Sequence, residues 1–469
     1  MMKRNVFTIL LICSCCLLIG CEKDLKIESV KHEGEFSLLC FSSPEELSQY
    51  AELVSKTSEF TTKTETRSSN FVSLWDSQVE TMLSSLSEEE IRSAMAEDLV
   101  YEPEDKIIQD PVFAKILNHK REIMVAGEIY RYVETGVIIY KPSADQATIA
   151  KIIPEDYGSL QDREEIMLSE DIRFVRLCYL MLDSMGVQTK ASTGGGIVYP
   201  NKLVLKDGTE IPKNDIHVVQ FEKGSGDANN FQKELSALFG QNVVAENYFS
   251  SSRRMKVRTF AQNFYFFTSV GMTVRMQQKQ AGIWWRKKAQ EFRYGWTAVE
   301  CYYTYEESSL PSGMNFQAIP VMLHNYSALY KKKPLVLFSI PVAEYKAIDT
   351  DILSKLNRLL QKYDRKIKEW MNQHPEYKNN PYSIFSADQK TGYSMIFPMH
   401  EEPAENEGRE KINWDFRTHF SVGFQLNGNN IKPTFEFSSD PKKIEIRQGE
   451  VYAAVKYGDV WKACVITTR

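Results

Sequence analysis

The chain has 469 residues, of which 43% are hydrophobic, 25% charged and 12% aromatic, with 23 glycines and 17 prolines. This composition excludes wholesale disorder and collagen-like repetition, and the length suits two or three domains with ample core. The formal net charge is −5, which favours solubility and argues against nucleic acid as a general partner.

Met1-Met2-Lys3-Arg4-Asn5 is a short basic start, and Val6 to Gly20 carries no charge. That uncharged run has the length of a secretory h-region and is short for a stable membrane span. It ends in Leu18-Ile19-Gly20-Cys21, directly before Glu22-Lys23-Asp24. The pattern resembles the bacterial lipobox, with residues 1–21 as the lipoprotein signal segment, which implies lipidation of the Cys21 thiol and cleavage of the residues before it. Such an anchor attaches the protein without threading backbone through the bilayer. Cleavage removes Lys3 and Arg4 from the 57 basic residues, leaving 55 against 62 acidic ones, a formal net of −7. Of the eight cysteines, Cys40, Cys178, Cys301 and Cys464 remain, more than 100 residues apart and each beside apolar neighbours. Buried thiols are expected, with disulfides as the alternative that an extracytoplasmic location permits.

Residues 22–155 read as a helical N-terminal region with a β-hairpin. Ser43-Pro44-Glu45-Glu46 has a cap, a proline at the first helical position and a glutamate two residues later. A second helix carries Phe71, Leu74, Trp75, Val79 and Leu83. A third begins at Ser87-Glu88-Glu89-Glu90, and Asp110-Pro111 caps a short fourth. Glu122 to Tyr140 switches to a two-residue period with Gly127 and Gly136 at turns. A β-rich domain over 156–330 starts with an expected helix from Asp162 to Met185. Strand patterns then fill Arg253 to Tyr305, separated by Gly271, Gly282 and Gly295. An α+β C-terminal domain over 331–469 has a strand at Pro334–Pro341, a long amphipathic helix from Asp349 or Thr350 to Met371, and four alternating stretches from Trp414 to Thr467. The expected fold class is therefore α+β, with a helical N-terminal portion, antiparallel sheets and one long helix in the C-terminal half.

Chemistry is sparse. None of the seven histidines stands in HExxH or within three to five residues of another, GxSxG is absent, and no lysine with serine or threonine follows Gly194-Gly195-Gly196. No catalytic residue, metal ligand or cofactor is assigned. One segment stands out. Arg253 to Arg293 holds ten basic residues opposed by Glu291 alone, interleaved with aromatics. Within it, Trp284, Trp285, Arg286, Lys287 and Lys288 form the candidate binding surface. Adjacent tryptophans in a strand face opposite sides, so one should reach a surface or an interdomain contact. The competing interpretation is a sheet with a basic solvent face and an aromatic core face. An acidic loop at Glu401, Glu402, Glu405 and Glu407 is a candidate electrostatic complement.

Asp110-Pro111-Val112-Phe113-Ala114-Lys115-Ile116-Leu117-Asn118, the hairpin from Glu122 to Tyr132, and Gly282-Ile283-Trp284-Trp285-Arg286-Lys287-Lys288-Ala289 resemble phrases in uncharacterised lipoproteins of gut Bacteroidota. The chain departs from that group at His119-Lys120-Arg121, where an acidic or glycine-containing turn is commoner. The resemblance implies attachment to the outer membrane through the lipid, with display at the cell surface left open. It carries over no catalytic residue. Two functions follow as expectations: a non-catalytic envelope protein that binds a glycan or an envelope protein or has a structural role, and an extracytoplasmic hydrolase whose catalytic residues meet only in the fold.

Overall fold

A computed structural model describes residues 29–30, 38–44, 46–47, 50–51, 54, 71–108, 110–157, 159–160, 164–177, 202–205, 207–221, 240–265, 268–304, 315–316, 318–323, 335–341, 365–366, 369–370, 372–373, 382–388, 392–405, 409–416, 420–427, 430–437 and 444–468. The signal segment, Cys21 and Cys178 lie outside the described residues.

Caps written in the sequence start the helices. The Ser73 hydroxyl accepts the Asp76 amide ahead of α1 (Leu74–Ser84), and Ser87 and Glu90 form a reciprocal capping box ahead of α2 (Glu88–Ala96). Asp110 accepts the amides of Val112 and Phe113 ahead of α3 (Pro111–Ile116), with Pro111 in the first turn, and Asp145 caps α4 (Gln146–Ala150).

The first seven strands are β1 (Ser29–Val30), β2 (Leu38–Phe41), β3 (Glu122–Val125), β4 (Glu128–Val133), β5 (Gly136–Tyr140), β6 (Glu165–Ser169) and β7 (Ile172–Arg176). They form one sheet in the order β1-β2-β3-β4-β5-β7-β6. One face carries Phe41, Ile123, Tyr132 and Ile139 against Leu74, Trp75, Phe113 and Ile116 of the helices; the other carries Met124, Ile138 and Phe174 against Ile149 of α4. Gly136 has a close-approach role, since a Cβ there would run into the Val175 carbonyl.

The next group is β8 (Lys202–Val204), β9 (Glu210–Pro212), β10 (Ile216–Phe221), β11 (Gly240–Ser250), β12 (Arg253–Asn263), β13 (Thr268–Gln280), β14 (Ile283–Arg286) and β15 (Glu291–Thr304). It is followed by β16 (Asn315–Phe316), β17 (Ala318–Leu323), β18 (Leu335–Pro341), β19 (Tyr382–Asp388), β20 (Gly392–Glu405), β21 (Arg409–Phe416), β22 (Phe420–Asn427), β23 (Asn430–Phe437), β24 (Ile444–Tyr457) and β25 (Val460–Thr468). A five-stranded sheet runs β11-β12-β13-β14, with β21 on β13 beyond the end of β14. An eight-stranded sheet runs β10-β25-β24-β15-β20-β19-β17-β18, drawing strands from both sides of residue 330. These two sheets pack face to face: Met255, Val257, Val270, Met272, Val274 and Met276 meet Trp296, Val299, Val451, Val455 and Ile466. Cys301 and Cys464 are buried in the same core, where desolvation, aided by Glu246, pushes the Cys464 thiol far above the usual thiol range.

The α+β expectation, with a helical N-terminal portion and one long helix, is corrected by this arrangement. The protein is mostly β: among the described residues there are 25 strands and four α-helices, the longest being the eleven-residue α1. The N-terminal helices cover one face of a seven-stranded sheet and do not make a helical domain. Most of the stretch from 349 to 371 lies outside the described residues, among which no long helix stands. The helix expected from Asp162 to Met185 is instead the hairpin β6–β7 as far as Arg176, with the stretch beyond Leu177 outside the described residues. Ile166 and Leu168, then Ile172 and Phe174, satisfy a two-residue period as well as a helical one. The open edge of β5 decided between them by pairing with β7.

The two parts meet at an aromatic junction. Phe264, in the connection after β12, is fully buried in the core of the first sheet, 4.8 Å from the Phe113 ring, and its carbonyl accepts the Tyr132 hydroxyl at 2.9 Å.

Candidate functional site

Strand alternation builds the site. Met255 and Val257 of β12 point into the sandwich core, so Arg254, Lys256 and Arg258 occupy the opposite face. Across that face Lys256 lies opposite Arg275 on one side and Glu246 on the other. Arg254 lies opposite Gln277, whose own partner on β14 is Arg286. At the level of backbone register, β21 adds Arg409 opposite Arg275 and Lys411 opposite Thr273. Like charges placed directly opposite repel, so this face needs counter-charge.

Part of it comes from Glu246, which pairs with Arg254 at 2.7 Å and Lys256 at 3.8 Å. The rest comes from the strap of residues 97–110 between α2 and α3. Val100 exchanges two backbone hydrogen bonds with Arg286, at 3.1 and 2.8 Å, which lays the strap along the free edge of β14. Glu102 precedes Pro103, which favours extended backbone, and an extended chain throws Glu102 and Glu104 to one side. Glu102 pairs with Arg275 Nε at 3.1 Å and Arg286 at 3.6 Å. Glu104 accepts from Lys256 Nζ at 2.7 and 3.0 Å and from Arg275 Nη1 at 2.7 Å, with Arg258 at 3.9 Å. Asp105 holds the far end: its carboxylate takes the amides of Ile107 and Ile108, Gln78, and both Nε and Nη2 of Arg121.

Burial pushes the Glu104 carboxyl up, but Arg258, Arg275 and Lys256 together outweigh it and bring its pKa down to about 2. Lys256 also moves down: burial acts first, and Arg258 and Arg275 reinforce it against the pull of Glu104. A simple ion pair would raise its lysine while lowering its carboxylate. Both move down here: Glu104 because three cations surround it, and Lys256 because burial, reinforced by the neighbouring Arg258 and Arg275, outweighs the pull of Glu104.

Glu104 has a folded pKa below its ordinary value of 4.5, so its stabilisation is complete above that value and is lost as pH falls towards about 2. Urea midpoints should be steady from about pH 7 to 5 and fall below about 4.5. Glu104→Gln should remove uptake of about one proton on unfolding in the acid window. An unchanged slope in that variant would show the carboxylate to be an ordinary surface group.

The structure separates the five sequence-level surface candidates. The ring of Trp285 is buried against Ala94, Leu99 and Tyr101, and its Nε1 donates to the Gln280 carbonyl at 3.1 Å. Trp284 faces the other way and is half-buried on the cationic face, with the Arg254 guanidinium 4.1 Å and Lys279 Nζ 5.8 Å from its ring. The pair is aimed by the two-residue turn Ala281-Gly282, both at positive φ (49° and 77°), which the second position tolerates because it is glycine. Arg286 is paired with Glu102. Lys287 donates to the Glu97 carbonyl at 2.6 Å and lies 3.6 Å from its carboxylate. Lys288 is exposed.

Sequence reasoning passed over Glu97, Glu102, Glu104 and Glu246. The signal was Glu102-Pro103-Glu104, two acids of one parity around a proline, but nothing local says which strand they will meet. The expected complement at Glu401, Glu402 and Glu405 belongs to β20, at register positions opposite Gly295, Tyr294 and Glu291. Among the described residues, no group of three or more His, Cys, Asp and Glu is placed to hold a metal ion, and no helix is long and apolar enough to cross a membrane. No protein-family model matches the chain, and neither a curated protein nor a solved structure matches it.

Proposed function

We propose that the chain is an outer-membrane lipoprotein, anchored through Cys21, whose ectodomain is a non-catalytic binding protein for an anionic glycan. The Leu18-Ile19-Gly20-Cys21 sequence and the resemblance to envelope lipoproteins support the location. The observation that carries the binding reading is the corner of the cationic face around Trp284. There the half-buried indole lies edge-on to Tyr248, at 6.2 Å between ring centroids, and Tyr248 is 47% exposed. Arg254 and Lys279 stand over the same indole, and Lys288 is exposed on the connection that follows β14. The exposed Tyr248 ring offers an apolar contact for a sugar, and the exposed Lys279 and Lys288 suit carboxylate or sulfate substituents, while Arg254, held by Glu246, fixes the indole.

The test uses two forms of the protein. Cys21→Ser should move the full chain from the membrane to the soluble fraction. The soluble form of residues 22–469 should bind immobilised anionic oligosaccharides more tightly than neutral ones and lose affinity with added salt. Trp284→Ala combined with Lys279→Gln should weaken that binding by about tenfold or more. Equal retention on neutral and anionic sugars, or binding unchanged in the double variant, would remove this corner from the account. A Cys21→Ser protein that stayed wholly in the membrane would remove the anchor.

A further inference from the structure

We infer that Lys256, Arg258 and Arg275 form a binding site for a tetrahedral oxyanion, sulfate or phosphate, and that the Glu104 carboxylate occupies this site as a built-in competitor. The inference goes beyond the glycan reading and does not depend on the Trp284 corner.

Three observations lead to it. First, the cations belong to the rigid part of the molecule: Lys256 and Arg258 on β12 and Arg275 on β13 are fixed by continuous backbone pairing and by a fully buried core face behind them. Their spacing is set by the sheet, so the cluster persists whether or not an anion is present. Second, the closest neutralising contacts come from outside the sheet, since Glu246 of β11 reaches Lys256 only at 3.8 Å. Lys256 Nζ and Arg275 Nη1 both reach the Glu104 carboxylate within hydrogen-bond distance, and Arg258 Nη2 stands 3.9 Å away. A single carboxylate offers two oxygens to this three-cornered set of donors, whereas a tetrahedral oxyanion offers four and can carry a second charge. Third, the competitor can leave. Arg258 and Arg275 are buried, at 8% and 3% side-chain exposure, but Glu104 is 38% exposed. The strap itself is pinned on both sides of Glu104, by the Val100–Arg286 bridge and by Asp105 on Arg121. Glu104 can therefore turn outward by side-chain rotation while Glu102 stays on Arg275 and Arg286.

No bond is made or broken in this exchange; one anion replaces another, and the strap sets the affinity by competing for the cations. A free inorganic ion and a sulfate ester carried on a glycan present the same chemistry. Glu104, at 38% side-chain exposure, is the most solvent-facing member of the cluster.

The test is chemical replacement in the full soluble ectodomain. Glu104→Gln removes the competitor. Millimolar sulfate should then raise its melting temperature by about 2 to 4 °C more than it raises that of the unmodified protein, at ionic strength matched with chloride. Adding Lys256→Gln to that variant should abolish the excess. The unmodified protein is the baseline that removes the general stabilising effect of sulfate. A rise equal in the unmodified protein and the variant, or one that survives Lys256→Gln, overturns the site. If Glu104→Gln does not fold, Glu104→Asp decides, since it keeps the charge but shortens the reach of the competitor to the cations. Sulfate should raise its melting temperature more than that of the unmodified protein, and an equal rise overturns the proposal. A sulfated oligosaccharide run beside inorganic sulfate separates the two sources: the site is for the free ion if only the small ion acts, and for a pendant ester if both do.

Discussion

Replacing Arg275 by methionine is expected to destabilise the protein by about 3 to 5 kcal/mol, the range for stranding a buried charge. Arg275 and Glu102 each retain only 3% of their side-chain exposure, and Arg275 Nε meets Glu102 at 3.1 Å while Nη1 meets Glu104 at 2.7 Å. A methionine fills much of the same volume, so the loss is electrostatic and comes chiefly from the buried Glu102 left behind. Arg286, at 3.6 Å, compensates only in part. Denaturant unfolding of the variant measures the cost, and Glu102→Gln added to Arg275→Met should recover a large share of it. A loss under about 1 kcal/mol would place the pair among exposed, screened contacts and would contradict the burial.

Phe264→Ala is expected to cost about 3 to 5 kcal/mol through the cavity it opens. The residue is the contribution of the sandwich to the other core: its ring is fully buried among residues of the first sheet and its helices, 4.8 Å from Phe113 and 6.2 Å from Tyr132. Tyr132→Phe supplies the contrast, since it keeps the ring and removes only the hydroxyl that donates to the Phe264 carbonyl. It should cost about 1 kcal/mol. Equal, small effects of both substitutions would mean that the two parts are held by something other than this junction. Separate unfolding transitions in Phe264→Ala alone would instead show that the ring couples them.

The helix starts were legible because each is a local event. Ser87 with Glu90, and Asp110 with Pro111, satisfy amides within three residues of themselves, so the sequence carries the whole interaction. The hairpins from Glu122 to Tyr140 and the strand character of the stretch from Arg253 were legible for a related reason: a two-residue period needs no distant partner to be recognised, although Gly271 and Gly295, read as breaks, lie inside β13 and β15. The same logic failed at Asp162–Met185, where two periods fit equally well and the unpaired edge of β5 settled the outcome. It failed again for β11, which pairs along β12 from Gly240 to Ser250 and carries no pattern strong enough to read unaided.

The charged face shows where local information ends. The sequence by itself determined that ten basic residues crowd Arg253 to Arg293, that alternation puts Arg254, Lys256 and Arg258 on one side of a strand, and that Trp284 and Trp285 point apart. These are consequences of backbone geometry at a spacing of one or two residues. Only the tertiary structure decided that Trp285 lies under α2, and that Arg275 is buried on an acid about 170 residues earlier in the chain. It also decided that counter-charge comes from Glu102 and Glu104 of the strap and from Glu246. Ion pairing has no sequence period: it depends on which surfaces meet, and those were set here by the apolar packing of two sheets and one aromatic plug, to which the charges then had to conform.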